Sequence, residues 1–267
     1  MKKLLKLVAL VLTIALAAFC FAACGNDKAN ETANQVEETA NQVEETNDLV
    51  IKMGTNAAFP PSEYKEGEEF VGIDVEIATA IAKELGGTLE VVDMEFDSII
   101  TAVNQGEVDF GMAGMTVTED RLKEVDFSTS YATGVQSVIV PEGSAIASLD
   151  DLEGKKIGVQ LGTTGDIYSC GDFGEENVTK FAKGADAVLA LAGGDVDAVI
   201  IDNEPAKSFV SSNEGLKILD TDYAIEDYAI AVKKGNTELL DDINAALEKL
   251  TVDGTIDEII ASYIKAE

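Results

Sequence analysis

Arg121 is the residue from which a chemistry can be read. It lies in Gly111 to Tyr131, GMAGMTVTEDRLKEVDFSTSY, just past the short apolar run Val108 to Ala113, whose small residues suit a strand covered on both faces. Gly114 then lets the backbone lie open to a ligand, and Thr118 can cap a short helix whose first turn holds Glu119, Asp120 and Arg121. This predicts a guanidinium near the strand end among free backbone N–H groups. Its planar fork matches two carboxylate oxygens at once, which a lysine cannot do. Spacing alone leaves a second reading open: Arg121 as one surface charge of an acidic helix, balanced by Glu124 and Asp126.

An internal repeat favours the first reading. Ala102 to Gly114, AVNQGEVDFGMAG, returns as Ala190 to Asp202, ALAGGDVDAVIID, with Gly106, Val108 and Asp109 matching Gly194, Val196 and Asp197. Each copy reads as a helix end, a glycine turn, Val-Asp and a buried strand. Open α/β sheets bind ligands outside the carboxyl ends of their strands, so Gly114 and Asp202 are predicted to border one crevice. Arg121 on one side and Asp202 on the other would suit a zwitterion, carboxylate to the cation and ammonium to the anion.

The elements that must position these residues follow in chain order. Leu49 to Gly54 predicts a first strand, after which Pro60 and Pro61 stiffen a turn that carries Phe59. Asp74 is expected to cap a helix burying Ile77, Ala78, Ile81, Ala82 and Leu85. Leu89 to Met94 is the next strand, and Phe96 precedes a helix over Asp97 to Gln105. Phe59 and Phe96 both follow strands, so they either line the cleft or pack as ordinary core. Lys156 to Gln160 reads as a strand running into Leu161-Gly162-Thr163-Thr164-Gly165, a loop whose N–H and hydroxyl groups can meet an anion at a helix start. It lacks the Gly-Lys-Ser/Thr ending of a nucleotide loop. Thr133 to Val140 leaves one lobe and Glu226 to Lys233 returns to it, a two-strand hinge. Helices at Thr237 to Leu250 and Thr255 to Lys265 complete the first lobe.

With these residues in place, the chain resembles the amino-acid-binding proteins of ABC importers, solute-binding protein family 3. The likeness is carried by GTNAAFPPSEY, GIDVEIATAIAKELG, AGMTVTEDRLKEVDFSTSY, GVQLGTTG, DAVIIDNEPA and YAIAVKKGN, in order over residues 48–265. It implies an α/β, two-lobed periplasmic-binding-protein-like fold of type II, with lobe 1 at 48–135 plus 229–267 and lobe 2 at 136–228. It also implies a monomer that captures a free amino acid and delivers it to permease subunits, with neither cofactor nor metal. Carried position by position, it puts Arg121, Thr116 and Thr164 on the ligand carboxylate, with neighbouring Thr163 in the same donor loop. The Gly114 carbonyl and Asp202 fall on the ammonium, and Gln160, Asn56, Phe59 and Phe96 on the side chain. Asn56 stands where many relatives carry Asp, and Ser62 where Phe is frequent. Loss of that carboxylate points to a neutral, polar ligand, unless Glu63 compensates. The rival on the same scaffold is an enzyme of cyclohexadienyl dehydratase type, but the Arg121 and Asp202 pair leaves no evident proton donor beside a leaving group.

Composition sets the outer bounds. The 267 residues carry 50 acidic and 19 basic side chains, a formal charge of −31, and no histidine. Nucleic acid is therefore not an expected partner, and the usual base of serine and cysteine hydrolases is missing. Lys2, Lys3 and Lys6, the apolar run Leu7 to Phe19, and Phe21-Ala22-Ala23-Cys24 read as a secretory signal ending in a lipobox, although Phe21 stands where Leu is usual. Cys24 would then become the lipidated first residue, anchoring the protein at the outer side of a bacterial membrane. A plain signal peptide or an uncleaved anchor also places the remainder outside the cytoplasm. Asn26 to Asn47 contains ANQVEET twice in tandem. Two heptads with only Ala and Val cannot hold a coiled coil, so a flexible tether is expected. Only Cys170 remains in the globular part, where it is expected to be a small packed residue.

Overall fold

The structure is a computed structural model that describes residues 49–264. The lipobox at Cys24 and the repeated tether lie outside the described residues. The chain opens with β1 (Val50–Thr55), the small antiparallel set β2 (Ala58–Phe59), β3 (Glu63–Glu66) and β4 (Glu69–Val71), and α1 (Ile73–Glu84). Then come β5 (Thr88–Asp93), α2 (Ile99–Gln105), β6 (Phe110–Gly111), α3 (Arg121–Glu124) and β7 (Val125–Phe127). A second run holds β8 (Ala132–Pro141), β9 (Ile157–Gln160), α4 (Thr164–Phe173), β10 (Val178–Phe181), α5 (Gly184–Gly193), β11 (Ala198–Asp202), α6 (Asn203–Ser212), β12 (Leu216–Ile218) and β13 (Ala224–Tyr228). The chain closes with β14 (Ala231–Lys233), α7 (Thr237–Val252) and α8 (Thr255–Tyr263).

Besides the small β2-β3-β4 ladder, two main sheets result, one per lobe. The first runs β5-β1-β6-β14-β7 and the second β10-β9-β11-β8-β12, with β13 also paired to β8. In each sheet three adjacent strands are parallel, and a returning strand, β14 or β8, pairs antiparallel beside them. Helices cover the faces. Ile77, Ala78, Ile81 and Ala82 of α1 pack with Ile243, Ala246, Leu247 and Leu250 of α7 in the core of the first lobe, so the apolar stripe of each helix is scaffold.

The internal repeat is a repeated lock. Both α2 and α5 end on a left-handed glycine, Gly106 at φ 75° and Gly194 at φ 81°. Asp109 then accepts the N–H of Lys52 in β1 at 2.7 Å, and Asp197 accepts the N–H of Lys156 ahead of β9 at 2.9 Å. Each aspartate clamps its own strand to a parallel neighbour. Only Phe110–Gly111 of the run expected over Val108 to Ala113 pairs as strand, whereas the second copy pairs over its full Ala198–Asp202.

Two expectations need correction. Asp74 does not cap α1: Gly72 holds that place, and the N–H groups of Ile73 and Asp74 go to the carbonyls of Pro61 and Ser62. With those donors satisfied by backbone, the Asp74 side chain turns inward. Gly72 itself is required, since its φ is 124° and an added Cβ would lie 2.3 Å from the Ser62 oxygen. The run Glu226 to Lys233 is not one strand either. It divides between β13 in one sheet and β14 in the other, because the chain crosses lobes there.

The two crossings lie side by side. Ser128 N–H donates to the Ile230 carbonyl and Tyr131 N–H to the Tyr228 carbonyl, while Ala229 N–H reaches the Met115 carbonyl. Gly134 faces Tyr228 so closely that an added Cβ would stand 2.2 Å from the phenol ring. We expect Gly134→Ala to cost about 1 to 3 kcal/mol, the range for forcing an extra methyl into a packed site, as read from urea denaturation of the unliganded protein.

Candidate functional site

The carboxyl ends of the parallel strands from both sheets converge on one cavity. It is lined by Asn56, Phe59, Glu63, Phe96, Ala113, Gly114, Thr116, Arg121, Gln160, Thr163, Thr164 and Asp202. All ten ligand-contact candidates read from the sequence are therefore brought together, joined by Glu63 and Ala113. Asn56 follows β1 and Gly114 follows β6 in one lobe; Gln160 ends β9 and Asp202 ends β11 in the other. This is the crevice geometry of open α/β sheets, built from two sheets facing each other. The lobes are closed over it, enclosing about 10 Å³ of free volume, room for about one water molecule. A solute larger than water enters only when the lobes part.

Arg121 is buried, not a surface charge, at 7% exposure. Its neighbours differ from those expected. Rather than lying among free N–H groups, the guanidinium donates to the Thr116 carbonyl at 2.7 Å and across the cleft to the Gly162 carbonyl at 3.0 Å. Its carbon lies 5.3 Å from the centre of the Phe96 ring, a cation–π contact that fixes the ring on the cleft wall. Thr118 contributes as expected, its hydroxyl oxygen accepting the Arg121 N–H at 3.2 Å. On the facing lobe, Thr163 caps α4 by accepting the Asp166 N–H, so the helix opens onto the cavity through Thr163 and Thr164. The Thr164 hydroxyl is turned away from that task, donating to Glu226 at 3.0 Å.

Carboxyl groups dominate the electrostatics. Glu63, Asp74, Asp202 and Glu226 are all under a tenth exposed, against Arg121, the single buried cation among the described residues. Burial raises Asp202 from 3.8 to about 6, with the Tyr228 hydroxyl lowering it and Glu226 raising it. Asp74 also rises to about 6 by burial, opposed by bonds from the Gly114 N–H and the Tyr131 hydroxyl. Glu63 is pushed well above the usual carboxyl range by burial and then by Asp74 and Asp202. Burial pulls Arg121 down, and Glu226 and Asp202 counter it. Among the described residues no group of three or more acidic or cysteine side chains is spaced to hold a metal ion.

Several of these groups carry no sequence signal. Glu226 stands on β13, and its Oε2 accepts from Gln136 at 3.0 Å and from Thr164. Tyr228 donates its hydroxyl to Asp202 Oδ1. Both lie near the lobe crossing, and only the three-dimensional return of the chain brings them to the site. Asn56 and Gln160 meet across the cleft, the Gln160 amide donating to Asn56 Oδ1 at 2.9 Å. Cys170 is half-buried beside Asp166 and away from the cavity.

A two-lobed α/β shell closing on a polar cleft fits the class of solute-binding proteins, and the relatives it matches are named as binding proteins rather than enzymes. Residues 51–266 match the bacterial extracellular solute-binding proteins, family 3, and the chain belongs to that family. It is 35% identical over 268 residues to the arginine-binding extracellular protein ArtP of Bacillus subtilis (strain 168), covering 97% of this chain and 98% of that one. It is 32% identical to the ABC transporter glutamine-binding protein GlnH of the same organism, covering 98% of each. Among solved structures, an ancestral arginine-binding protein bound to arginine superposes with a TM-score of 0.76 at 44% identity, covering 80% of this chain and 98% of its own. Among the described residues no helix is long and apolar enough to cross a membrane.

Asp202 provides a test of the electrostatics. Its rise from 3.8 to about 6 amounts to on the order of 3 kcal/mol against the ionised form. The sign follows: a carboxyl raised on folding favours the fold most below 3.8, and that contribution falls as pH rises to about 6 and is flat above. Asp202→Asn, which keeps an acceptor for Tyr228, should stabilise the unliganded protein at pH 7.5 by up to about 3 kcal/mol and have little effect near pH 4. Urea denaturation at the two pH values reads the difference.

Proposed function

We propose that the protein captures a free α-amino acid with a cationic side chain by lobe closure and delivers it to the permease subunits of an ABC transporter. It would act as a monomer held at the outer face of the membrane by lipid on Cys24. The observation that carries the ligand class is Glu63: a buried carboxyl on the cavity wall whose Oε2 has no hydrogen-bond partner among the described residues. Buried charge is tolerated only when paired, and a guanidinium or ammonium at the end of a ligand side chain supplies the pair. The neutral ligand expected from Asn56 is revised for this reason. Asn56 is engaged by Gln160 and by the Met94 carbonyl, and Glu63 provides the carboxylate that Asn56 lacks.

The remaining contacts follow from the same balance. Arg121, with the start of α4 at Thr163 and Thr164 and the nearby Thr116, takes the ligand carboxylate. Asp202 and the Gly114 carbonyl take the α-ammonium. Phe59 and Phe96 flank the aliphatic stem, and Asn56 and Gln160 border its far end with Glu63. Similarity to an arginine-binding protein at 44% identity supports the cationic ligand, and the glutamine-binding relative marks the neutral alternative.

Closure on a ligand stabilises the protein by mass action, so a thermal-shift screen of the common amino acids should give its largest rise with arginine or lysine. Arg121→Ala and Asp202→Ala should each lose at least about 2 kcal/mol of binding by calorimetry, the cost of stripping one partner from a buried charge pair. Glu63→Gln should weaken arginine by tenfold or more, about 1.4 kcal/mol, and spare glutamine. A screen in which no amino acid raises the melting temperature would refute this function.

A further inference from the structure

The Glu63 carboxyl does not stand alone. Beside it lies the carboxyl of Asp74, whose own N–H bonds the Ser62 carbonyl at 2.9 Å; both carboxyl residues are 1% exposed, and each acts on the other's ionisation. Two adjacent buried carboxylates offer each other no donor unless one is protonated, so the pair holds a proton. Asp74 is the better anion of the two, because its Oδ2 already accepts the Gly114 N–H at 2.7 Å and the Tyr131 hydroxyl at 2.8 Å. The proton therefore resides on Glu63, which donates it to Asp74 and presents its remaining oxygen to the cavity.

Other titratable groups near the pair do not change this assignment. Asp202 acts on Glu63 from β11, and Tyr131 and Tyr228 act on Asp74 from the two crossings. All three are acids. None of the cavity-lining residues is a lysine, and the lining's one cation, Arg121, donates to the Thr116 and Gly162 carbonyls.

We infer that Asp74 is a specificity-determining residue acting through Glu63: it holds a proton on the wall of the side-chain pocket, and a cationic side chain binds by releasing that proton. Resting on the ligand reading above, this makes the pocket two-state. With the proton in place, the pocket offers a neutral acid whose free oxygen accepts from an amide or urea N–H. With the proton gone, it offers a carboxylate to a guanidinium. The step balances simply: the Glu63 O–H bond breaks, the proton passes to solvent, and the guanidinium charge replaces it.

Arginine and its neutral isostere citrulline separate this step from everything else in the cleft, because both carry the same α-carboxylate and α-ammonium. Titration of Asp202 on binding is common to the two and cancels. Calorimetry of the wild-type protein in buffers of differing ionisation enthalpy counts the protons. Arginine should release up to one proton more than citrulline, and the preference for arginine should rise with pH by up to about tenfold per unit. Asp74→Asn retains acceptors for Gly114 and Tyr131 while its amide donates to Glu63, so the extra proton and the pH-dependent preference should vanish. Equal proton counts for the two ligands in wild type overturn the inference alone, and so does citrulline failing at every pH while arginine binds. A difference that persists in Asp74→Asn removes Asp74 as its cause. Failure of both ligands to bind at any pH overturns the ligand reading beneath it as well. Should Asp74→Asn not fold, the wild-type comparison still decides.

Discussion

Four carboxyl groups share the closed cleft and its hinge with one guanidinium, and that imbalance governs the molecule. Each carboxyl has been given a different settlement. Glu226 takes the donors of Gln136 and Thr164, Asp202 that of Tyr228, and Asp74 those of Gly114 and Tyr131. Glu63 is left with a neighbouring acid and an unpartnered oxygen on the cavity wall; the other buried, unpartnered carboxyl oxygen among the described residues, Glu226 Oε1, belongs to a residue outside the lining. Uncompensated buried charge is costly in a low-dielectric interior, so the unliganded cleft is held together against its own electrostatics. The proposed ligand, with two positive groups and one negative one, would supply the missing cations, its side-chain charge replacing the proton on Glu63, and this would tie closure to charge pattern rather than to size alone.

The hinge takes part in this arrangement. Tyr228 has its backbone tied to the first lobe through Thr116 and Tyr131, while its hydroxyl reaches Asp202 at the end of β11 in the second. Glu226, two residues earlier, is bonded to Thr164 at the start of α4. The strand at the lobe crossing therefore also orients two groups of the cleft, Asp202 and Thr164. The site's geometry is completed by closure, which is how a two-lobed protein can release a ligand it holds at both ends.

Much of this was legible in the sequence, and the reason differs from residue to residue. The scaffold was readable because helix stripes such as Ile77, Ala78 and Ile81 repeat at helical spacing, and because the Gly-Val-Asp turn occurs twice. That repeat located Gly114 and Asp202, and the local pattern around Arg121 located the cation. Capping was misread at Asp74 because a backbone alternative, the carbonyls of Pro61 and Ser62, is supplied by a loop whose path no local pattern reveals. Glu226 and Tyr228 were invisible as site residues for a related reason: on an exposed-looking strand they alternate with Ile225 and Asp227, and only the crossing of the chain turns them inward. The direction of the Arg121 guanidinium, toward two carbonyls, likewise depends on the loop at Gly162 in the other lobe.

The far wall of the cavity is where members of one family can part company while keeping everything else. In the proposed reading, Asp202 and Gly114 at strand ends meet the α-ammonium, and Arg121 on α3 with the start of α4 meets the α-carboxylate, so these contacts follow from the fold. Glu63 sits on β3, in a small three-stranded ladder outside both main sheets, with its backbone held only by Ala58–Phe59 on one side and Glu69–Val71 on the other. Its charge is set from α1 through Asp74, an element whose main work is to cover the first sheet. Ligand charge can thus change without disturbing the zwitterion contacts, by altering either the carboxyl on the ladder or the acid behind it. In the proposed reading, the part common to all α-amino acids would be met by the two facing lobes, and the distinguishing end by this peripheral ladder.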